Sequence, residues 1–321
     1  MTKLPIIVIV GPTAVGKTSL SIALAKQFNG EIISGDSMQI YKKLNIGTAK
    51  ASLTEQAGIP HYLIDEVAVS ESYTVSDFQK RGRQLIQEIS AKGKLPIIVG
   101  GTGLYIESLL YAVSLGGSGE NDLIFRAQKE KEAAEYGPNY LWKELRQLDP
   151  TAAEKIHMNN VRRVIRALEV YHVTGQLFSS YQNEREIKEP LYNMKIIGLT
   201  TDREMLYDRI NERVHLMVEQ GLESEARWLA EQQLLDAQAT RGIGYKEWQP
   251  YFKGEASLDE VIAAIQQNSR RYAKRQLTWF RNRLSAVSWW DLVKQPETKK
   301  ELVEEIQQFL QEQSKTNPKE K

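Results

Sequence analysis

The 321-residue chain has no cysteine, which excludes disulfides and thiolate metal sites and permits a reducing compartment. It has almost no net charge, +1 in total, so the whole-chain balance gives no hint of a polyanionic partner. Long apolar runs are missing too. The first one, Leu4–Val10, is too short for a signal peptide and lacks a cleavage site, and nothing later reaches membrane-spanning length. The reading is a cytoplasmic protein with no membrane partner. Internal repeats are absent, and so are the N-K-x-D and D-x-x-G motifs that a GTPase needs.

What is present begins at Gly11. "GPTAVGKT" follows the β-branched run Leu4–Val10 and precedes helix-like periodicity from Lys17 to Phe28. This is G-x-x-x-x-G-K-T in its proper strand–loop–helix context. Gly11, Pro12, Thr13, Ala14, Val15, Gly16, Lys17 and Thr18 form a phosphate-gripping loop of the nucleotide- and ATP-binding type. Its backbone N–H groups and Lys17 face anionic oxygens, and the Thr18 hydroxyl is placed for Mg²⁺. The hydrolytic apparatus is harder to find. In "HYLIDEV", Asp65 and Glu66 only superficially resemble a Mg²⁺-holding pair, and a structural role is preferred. The loop therefore suits a diphosphate leaving group better than a triphosphate to be cleaved.

Short apolar runs at Glu31–Ser34, Leu95–Val99 and Met194–Leu199 alternate with helical patterns, as near Ser76–Ala91. Such alternation specifies an α/β fold with a parallel sheet. Thr201-Asp202-Arg203-Glu204 reads as a capping box opening a helix. Gly11, Asp36 and Gly100 each lie just past a strand end, so three distant loops should meet at one sheet edge, where such folds bind ligands. From Ala112 to Pro190 strand-like runs vanish. "LGGSGEND" reads as a flexible entry, and a charged helical stretch follows, notably Thr151–Val173. The expected division is a core of residues 1–111 and 191–296, a helical insertion of residues 112–190, and a C-terminal surface helix with tail at 297–321. A long helical crossover within one domain is the alternative.

Asp36, in "SGDSMQIYKKLNIGTAK", admits several roles: ribose or Mg²⁺ binding, general base, or an ordinary Asp-Ser turn. "GGTGLY" adds Thr102 near the same edge. "NSRRYAKRQLTWFRNR" carries Arg270, Arg271, Lys274, Arg275, Arg281 and Arg283 with no acid between them and with Tyr272 and Trp279 interleaved. Leu277, Phe280 and Leu284 can anchor the opposite side. One-sign charge with aromatics points to nucleic acid, most simply RNA. Arg162, Arg163 and Arg166 form a second basic cluster, and Arg241 with Lys246 a third.

Taken together these segments resemble the tRNA dimethylallyltransferase family, also called isopentenyl-diphosphate:tRNA transferases. The likeness is carried in order by "GPTAVGKT", "GDSMQIYKKLNIGTAK", "LPIIVGGTGLY", "RRVIRALEVYHVTG", "RINERVHLMVEQGL", "RGIGYKE" and "RRYAKRQLTWFRNR". It implies transfer of a dimethylallyl group from dimethylallyl diphosphate to N6 of the tRNA adenosine 3′ of the anticodon, adenosine 37. It also implies a P-loop-kinase-like core, an insertion that embraces the anticodon stem-loop, and Mg²⁺; apart from the resemblance, the chain is expected to be a monomer. The loop Gly11–Thr18 would hold the prenyl diphosphate, Asp36 would be the base, Thr102 would position the base or donor, and Arg213 would neutralise diphosphate. By the same likeness Asp36, Ser37, Met38, Gln39, Thr102, Arg126, Arg162, Arg163, Arg166, Arg241, Gly242, Gly244, Tyr245, Lys246, Lys274, Arg275, Gln276, Trp279 and Arg281 would contact tRNA. "HMNN" and "SLGGSGENDLIF" depart from the family's pattern. A P-loop small-molecule or nucleotide kinase, and a non-catalytic RNA-binding ATP switch, are the rival readings.

Overall fold

In the computed structural model, residues 3–112, 122–183, 189–234 and 237–316 are described. The chain divides into two compact units. One comprises the residues up to Leu110 and from Leu191 onward, and the other is Tyr111–Pro190.

The first unit is built on a six-stranded sheet: β1 (Pro5–Val10), β2 (Gly30–Ser34), β3 (His61–Tyr62), β4 (Leu95–Gly100), β5 (Asn193–Leu199) and β6 (Val287–Trp290). All pairings are parallel, in the order β3-β2-β4-β1-β5-β6. Central β1 is buried from Ile6 to Val10 because helices cover both faces, which explains its unbroken β-branched run. The order also fixes where the site lies. From β1 the chain goes outward to β2, whereas from β4 it crosses over β1 to β5. The crevice between the carboxyl ends of β1 and β4 is therefore a topological switch point, the standard ligand position in open α/β sheets.

Register brings the strand ends level: Val10 pairs with Gly100 and with Gly198, and Ser34 with Val99. Helices start where the chain supplies caps. Thr74 with Asp77 and Ser257 with Glu260 close capping boxes before the Val75–Ala91 and Leu258–Arg283 helices. The expected box at Thr201–Glu204 does not form. Asp202 is the N-cap of the Arg203–Glu219 helix but makes no side-chain cap bond, and pairs with Lys294 instead.

The C-terminal helix, Lys299–Thr316, is less superficial than its polar sequence suggests. Leu302 and Ile306, one turn apart, are buried in the same core cluster as Ile7, Ile9 and Ile197. These two, with Val303, Phe309 and Leu310 packed beside them, give the polar helix an apolar stripe that seats it on the sheet.

The second unit is helical: Leu123–Tyr136, Pro138–Leu148, Pro150–Lys155, Val161–Thr174 and Phe178–Asn183. It has its own core around Leu141, Leu145, Ala152, Val164 and Leu168. The helical stretch expected over Thr151–Val173 is broken. Ile156 is extended and Asn159 donates its N–H to His157 Nδ1, so "IHMNN" separates two helices. Most of the entry segment "LGGSGEND", from Leu115 to Asn121, lies outside the described residues, as do residues 317–321 of the expected tail.

Candidate active site

The loop after β1 turns into the Lys17–Gln27 helix through Gly16, whose φ of 92° serves as a left-handed N-cap. Gly11 is needed for another reason: a Cβ there would lie 2.4 Å from Leu199 O. The helix has no acid in its first turn, so its N-terminal N–H groups remain free to meet an anion.

Three side chains from distant parts of the chain hold the loop's apex. Gln276 Oε1 accepts the Thr13 N–H at 3.0 Å, while Arg213 Nη1 donates to Thr13 Oγ1 at 2.9 Å. Arg209, one turn before Arg213, donates through Nε to Ala14 O at 2.8 Å. Ala14 itself sits at φ 66°, a left-handed conformation that costs a residue with a Cβ about 1–2 kcal/mol. Lys17 Nζ donates to Pro12 O at 2.6 Å.

Electrostatically this loop concentrates positive charge, as an anion-binding site does. Burial, and then the neighbouring Arg213, pull the Lys17 ammonium down to about 7, against the opposing pull of Asp36. Arg213 is also lowered by burial, again opposed by Asp36. A diphosphate would relieve both strains, since it supplies the negative charge that the two cations lack.

Asp36 follows β2 on the other side of the crevice. One of its oxygens closes a turn by accepting the Met38 N–H at 2.8 Å. The turn and the chemical role are thus compatible, because a carboxylate has a second oxygen to offer. Thr102 Oγ1 accepts the Ser37 N–H at 3.0 Å and donates to Ser37 Oγ at 3.3 Å, and its N–H donates to Gly35 O. The loops after β2 and β4 are therefore laced together. Tyr272 lies beside them: burial, followed by the charge of Asp36, pushes its phenol up to about 12, with the neighbouring Thr102 and Gln276 side chains opposing the rise. Tyr272 is thus a neutral phenol at this site, where the sequence pattern suggested only an aromatic for stacking.

Several residues expected at the RNA surface are placed otherwise. Gln276 is 4% exposed, with Nε2 donating to Gly101 O at 3.0 Å, so it clamps two loops and presents nothing outward. Trp279 packs on Gly103, where a Cβ would lie 2.2 Å from its ring, and Arg283 covers it at 5.8 Å. Gly242, Gly244 and Tyr245 are buried and serve as packing. Gln39 is engaged internally, accepting from Ser34 Oγ and donating to Thr48 O. Arg126 and Arg166 both grip the buried carboxylate of Glu169, at 2.7 Å each, because a buried charge must be paired. Asp65 bonds Lys50, and Glu66 accepts the Leu63 N–H. These two acids therefore hold a loop.

Exposed among the expected basic residues are Arg162 and Arg163 in the helical unit and Arg241, Lys246, Arg271, Lys274, Arg275 and Arg281 in the sheet unit. The basic stripe is split, because Arg270 bonds Asn211 Oδ1 and Arg283 bonds Glu107. Leu277, Phe280 and Leu284 do face inward. Thr18 is exposed at the helix start, and among the described residues no cluster of three or more His, Asp or Glu could hold a metal alone. No helix among them is long and apolar enough to cross a membrane.

Comparison with known proteins agrees with this geometry. A sequence model of the IPP transferase family matches residues 39–283. A tRNA dimethylallyltransferase of Enterococcus faecalis is 56% identical over 308 residues, covering 96% of this chain and 98% of the relative. One from Bacillus cereus is 56% identical over 285 residues, 89% of each chain. The crystal structure of the full-length tRNA isopentenylpyrophosphate transferase from Bacillus halodurans superposes with a TM-score of 0.73 at 46% identity, covering 98% of this chain and 99% of that one. A eukaryotic dimethylallyltransferase crystallised acting on tRNA gives a TM-score of 0.79 at 33% identity, over 92% of this chain and 76% of that chain. With the matched model spanning most of its length, the chain belongs to the IPP transferase family.

Proposed function

We propose that the chain transfers a dimethylallyl group from dimethylallyl diphosphate to N6 of the tRNA adenosine 3′ of the anticodon, releasing diphosphate. The observation that carries this reading is the opposition of Asp36 to Lys17 and Arg213 across one crevice. An exocyclic adenine amine is a weak nucleophile because its lone pair is delocalised into the ring. It needs a base at the nitrogen and positive charge at the leaving group.

In the reaction the N6–C1 bond forms as the C1–oxygen bond to diphosphate breaks. Asp36 takes the N6 proton through the oxygen that does not close the Met38 turn. Lys17, Arg213 and the loop N–H groups receive the charge that develops on diphosphate. Thr102 and Tyr272 orient the base beside Asp36. The adenine reaches this crevice by leaving its stack, which costs least in a single-stranded loop.

Mg²⁺ fits this donor set modestly. Thr18 offers one hydroxyl, and Mg²⁺ commonly takes few protein ligands, completing its shell with waters and phosphate oxygens. When bound it would add positive charge at the leaving diphosphate. The exposed arginines and lysines of both units are the RNA contacts in this reading, and the chain acts as a monomer in the cytoplasm.

The test is incubation with labelled dimethylallyl diphosphate, Mg²⁺ and unmodified tRNA, followed by digestion to nucleosides. Labelled N6-(dimethylallyl)adenosine is expected. No labelled nucleoside, with ATP-dependent phosphorylation of a small molecule instead, would overturn the reading in favour of a P-loop kinase.

A further inference from the structure

Glu225 lies on the Leu222–Glu231 helix, three residues past the end of "RINERVHLMVEQGL". Its carboxylate accepts the N–H groups of three successive residues: Asn45 at 2.7 Å, Ile46 at 2.9 Å and Gly47 at 2.9 Å. It also accepts the Tyr245 hydroxyl at 2.7 Å. Consecutive amides that converge on one oxyanion make a nest of the kind that backbone loops build for ligands. Here the protein fills the nest with its own side chain.

Each partner of Glu225 leads onward. Gly47 lies against the Tyr245 ring, so that a Cβ would sit 2.6 Å from Cζ. Gly242 lies against Met38, with 2.7 Å available between a would-be Cβ and Cε. At the far end of the same loop Gln39 Nε2 donates to Thr48 O at 3.1 Å. The loop of residues 45–48 is thereby fastened to the Asp36–Gln39 turn on one side and to the Arg241–Lys246 loop on the other. Burial, then the charge of Glu225, raises the Tyr245 phenol, so Tyr245 remains a donor at neutral pH. Gly242, Gly244 and Tyr245, which are buried, form the packing between Glu225 and the exposed Arg241 and Lys246.

We infer that Glu225 is a positioning residue: it sets the Arg241–Lys246 loop and the Asp36–Gln39 turn at a fixed separation, so that one RNA loop engages both. The inference rests on the RNA reading given above. It makes a division that a general loss of structure would not make. The phosphate loop is held by Gln276, Arg209 and Arg213, none of which touches Glu225, so RNA affinity and donor affinity should respond separately.

The experiment measures two affinities on the full chain, tRNA by fluorescence anisotropy and dimethylallyl diphosphate by calorimetry. Glu225→Ala is expected to weaken tRNA about tenfold, as the loss of several charge-assisted bonds allows, and to leave the donor within about twofold. Glu225→Gln keeps the shape and one acceptor and should recover roughly half of that loss on a logarithmic scale. Tyr245→Phe, which keeps the ring on Gly47, should weaken tRNA about threefold. If Glu225→Ala does not fold, the Gln and Phe variants carry the test. Unchanged tRNA affinity in the folded variants, or an equal loss of both affinities, overturns the inference. Because affinities are read directly, a wild-type chain that binds tRNA without prenylating it would count against the proposed reaction and leave the Glu225 comparison valid.

Discussion

Gln276 and Thr13 are 263 positions apart, and the amide of one holds the backbone N–H of the other at 3.0 Å. The opposite end of the same amide holds Gly101 O. One side chain thus couples the loop after β1 to the loop after β4, the two walls of the crevice. Gln276→Ala would leave a buried carbonyl without its partner, a cost of about 1–3 kcal/mol, and a half-buried N–H without its own, at a smaller cost. The expected outcome is a melting point lower by several degrees and a weaker grip on the donor. Thermal melts and the KM for dimethylallyl diphosphate measure these. Gln276→Glu would keep the acceptor for Thr13 but lose the donor to Gly101, and should fall between wild type and alanine.

Asp36 does two things with two oxygens, and Asn separates them. Asp36→Asn retains an oxygen for the Met38 N–H, so the turn survives, but it cannot take a proton. Loss of general-base help is expected to slow transfer by about 10²–10⁴-fold. tRNA affinity should stay within about twofold of wild type, because no hydrogen bond of the turn is lost. Single-turnover product formation is the measurement, and near-normal rates in this variant would remove Asp36 as the base.

Lys17 gives the site a pH signature. In the donor-free protein its ammonium is held at about 7 by burial and Arg213, so it loses its charge as pH rises through neutrality. Bound diphosphate favours the charged form and raises that value. Donor binding above pH 7 must then take up a proton, and affinity should fall as pH increases from 7 toward 9. Calorimetry in buffers of different ionisation enthalpy would show the uptake. The stability sign follows from the same shift. The folded value lies below the unfolded one, so Lys17 destabilises the free fold fully below pH 7. That penalty fades as pH rises toward 10.5. Relative to Lys17→Met, the wild-type melting point should therefore rise between pH 6 and pH 9.

Much of this architecture is legible in the chain itself, for identifiable reasons. β1 and β4 are unbroken apolar runs ended by glycines, and a phosphate loop has few alternatives to G-x-x-x-x-G-K-T. The convergence of Gly11, Asp36 and Gly100 on one edge follows from the α/β rule that strand ends carry the site. Burial is what the pattern hides. Trp279 and Gln276 lie in the same basic helix as Arg275 and Arg281, and nothing in the spacing says that the first two turn inward. Glu169 cancels Arg126 and Arg166 from 43 and 3 positions away, and only the fold brings the first pair together. Leu302 and Ile306 are a weak apolar signal in a polar helix. Arg209 could have been found, since it stands one turn before Arg213 and must share its face. Glu225 could not, because its partners at Asn45–Gly47 are some 180 residues distant.

The split of the basic stripe predicts a split in salt dependence. Arg275 and Arg281 are exposed, whereas Arg270 is occupied by Asn211. A residue that contacts RNA phosphate contributes counterion release, and removing it lowers the salt slope of binding by about 0.7 for a single-stranded partner. Arg275→Ala and Arg281→Ala should each flatten the plot of log affinity against log salt by about that amount. Arg270→Ala should leave the slope alone and lower the melting point instead. Anisotropy titrations over a range of salt distinguish the two. Equal slopes in all three variants would make the stripe solvated surface.

Arg209 offers the last contrast. Its Nε bond to Ala14 O supports a residue held at φ 66°. Without that support the peptide can relax toward a conformation that suits alanine better but turns its N–H away from the anion. Arg209→Lys keeps the charge and loses the Nε geometry, so it should weaken donor binding nearly as much as Arg209→Ala. Pairing either variant with Ala14→Gly, which removes the left-handed penalty of about 1–2 kcal/mol, should restore much of the affinity. Calorimetry with dimethylallyl diphosphate gives the comparison. Full affinity in Arg209→Lys alone would mean that the residue acts by its charge and not by holding the loop.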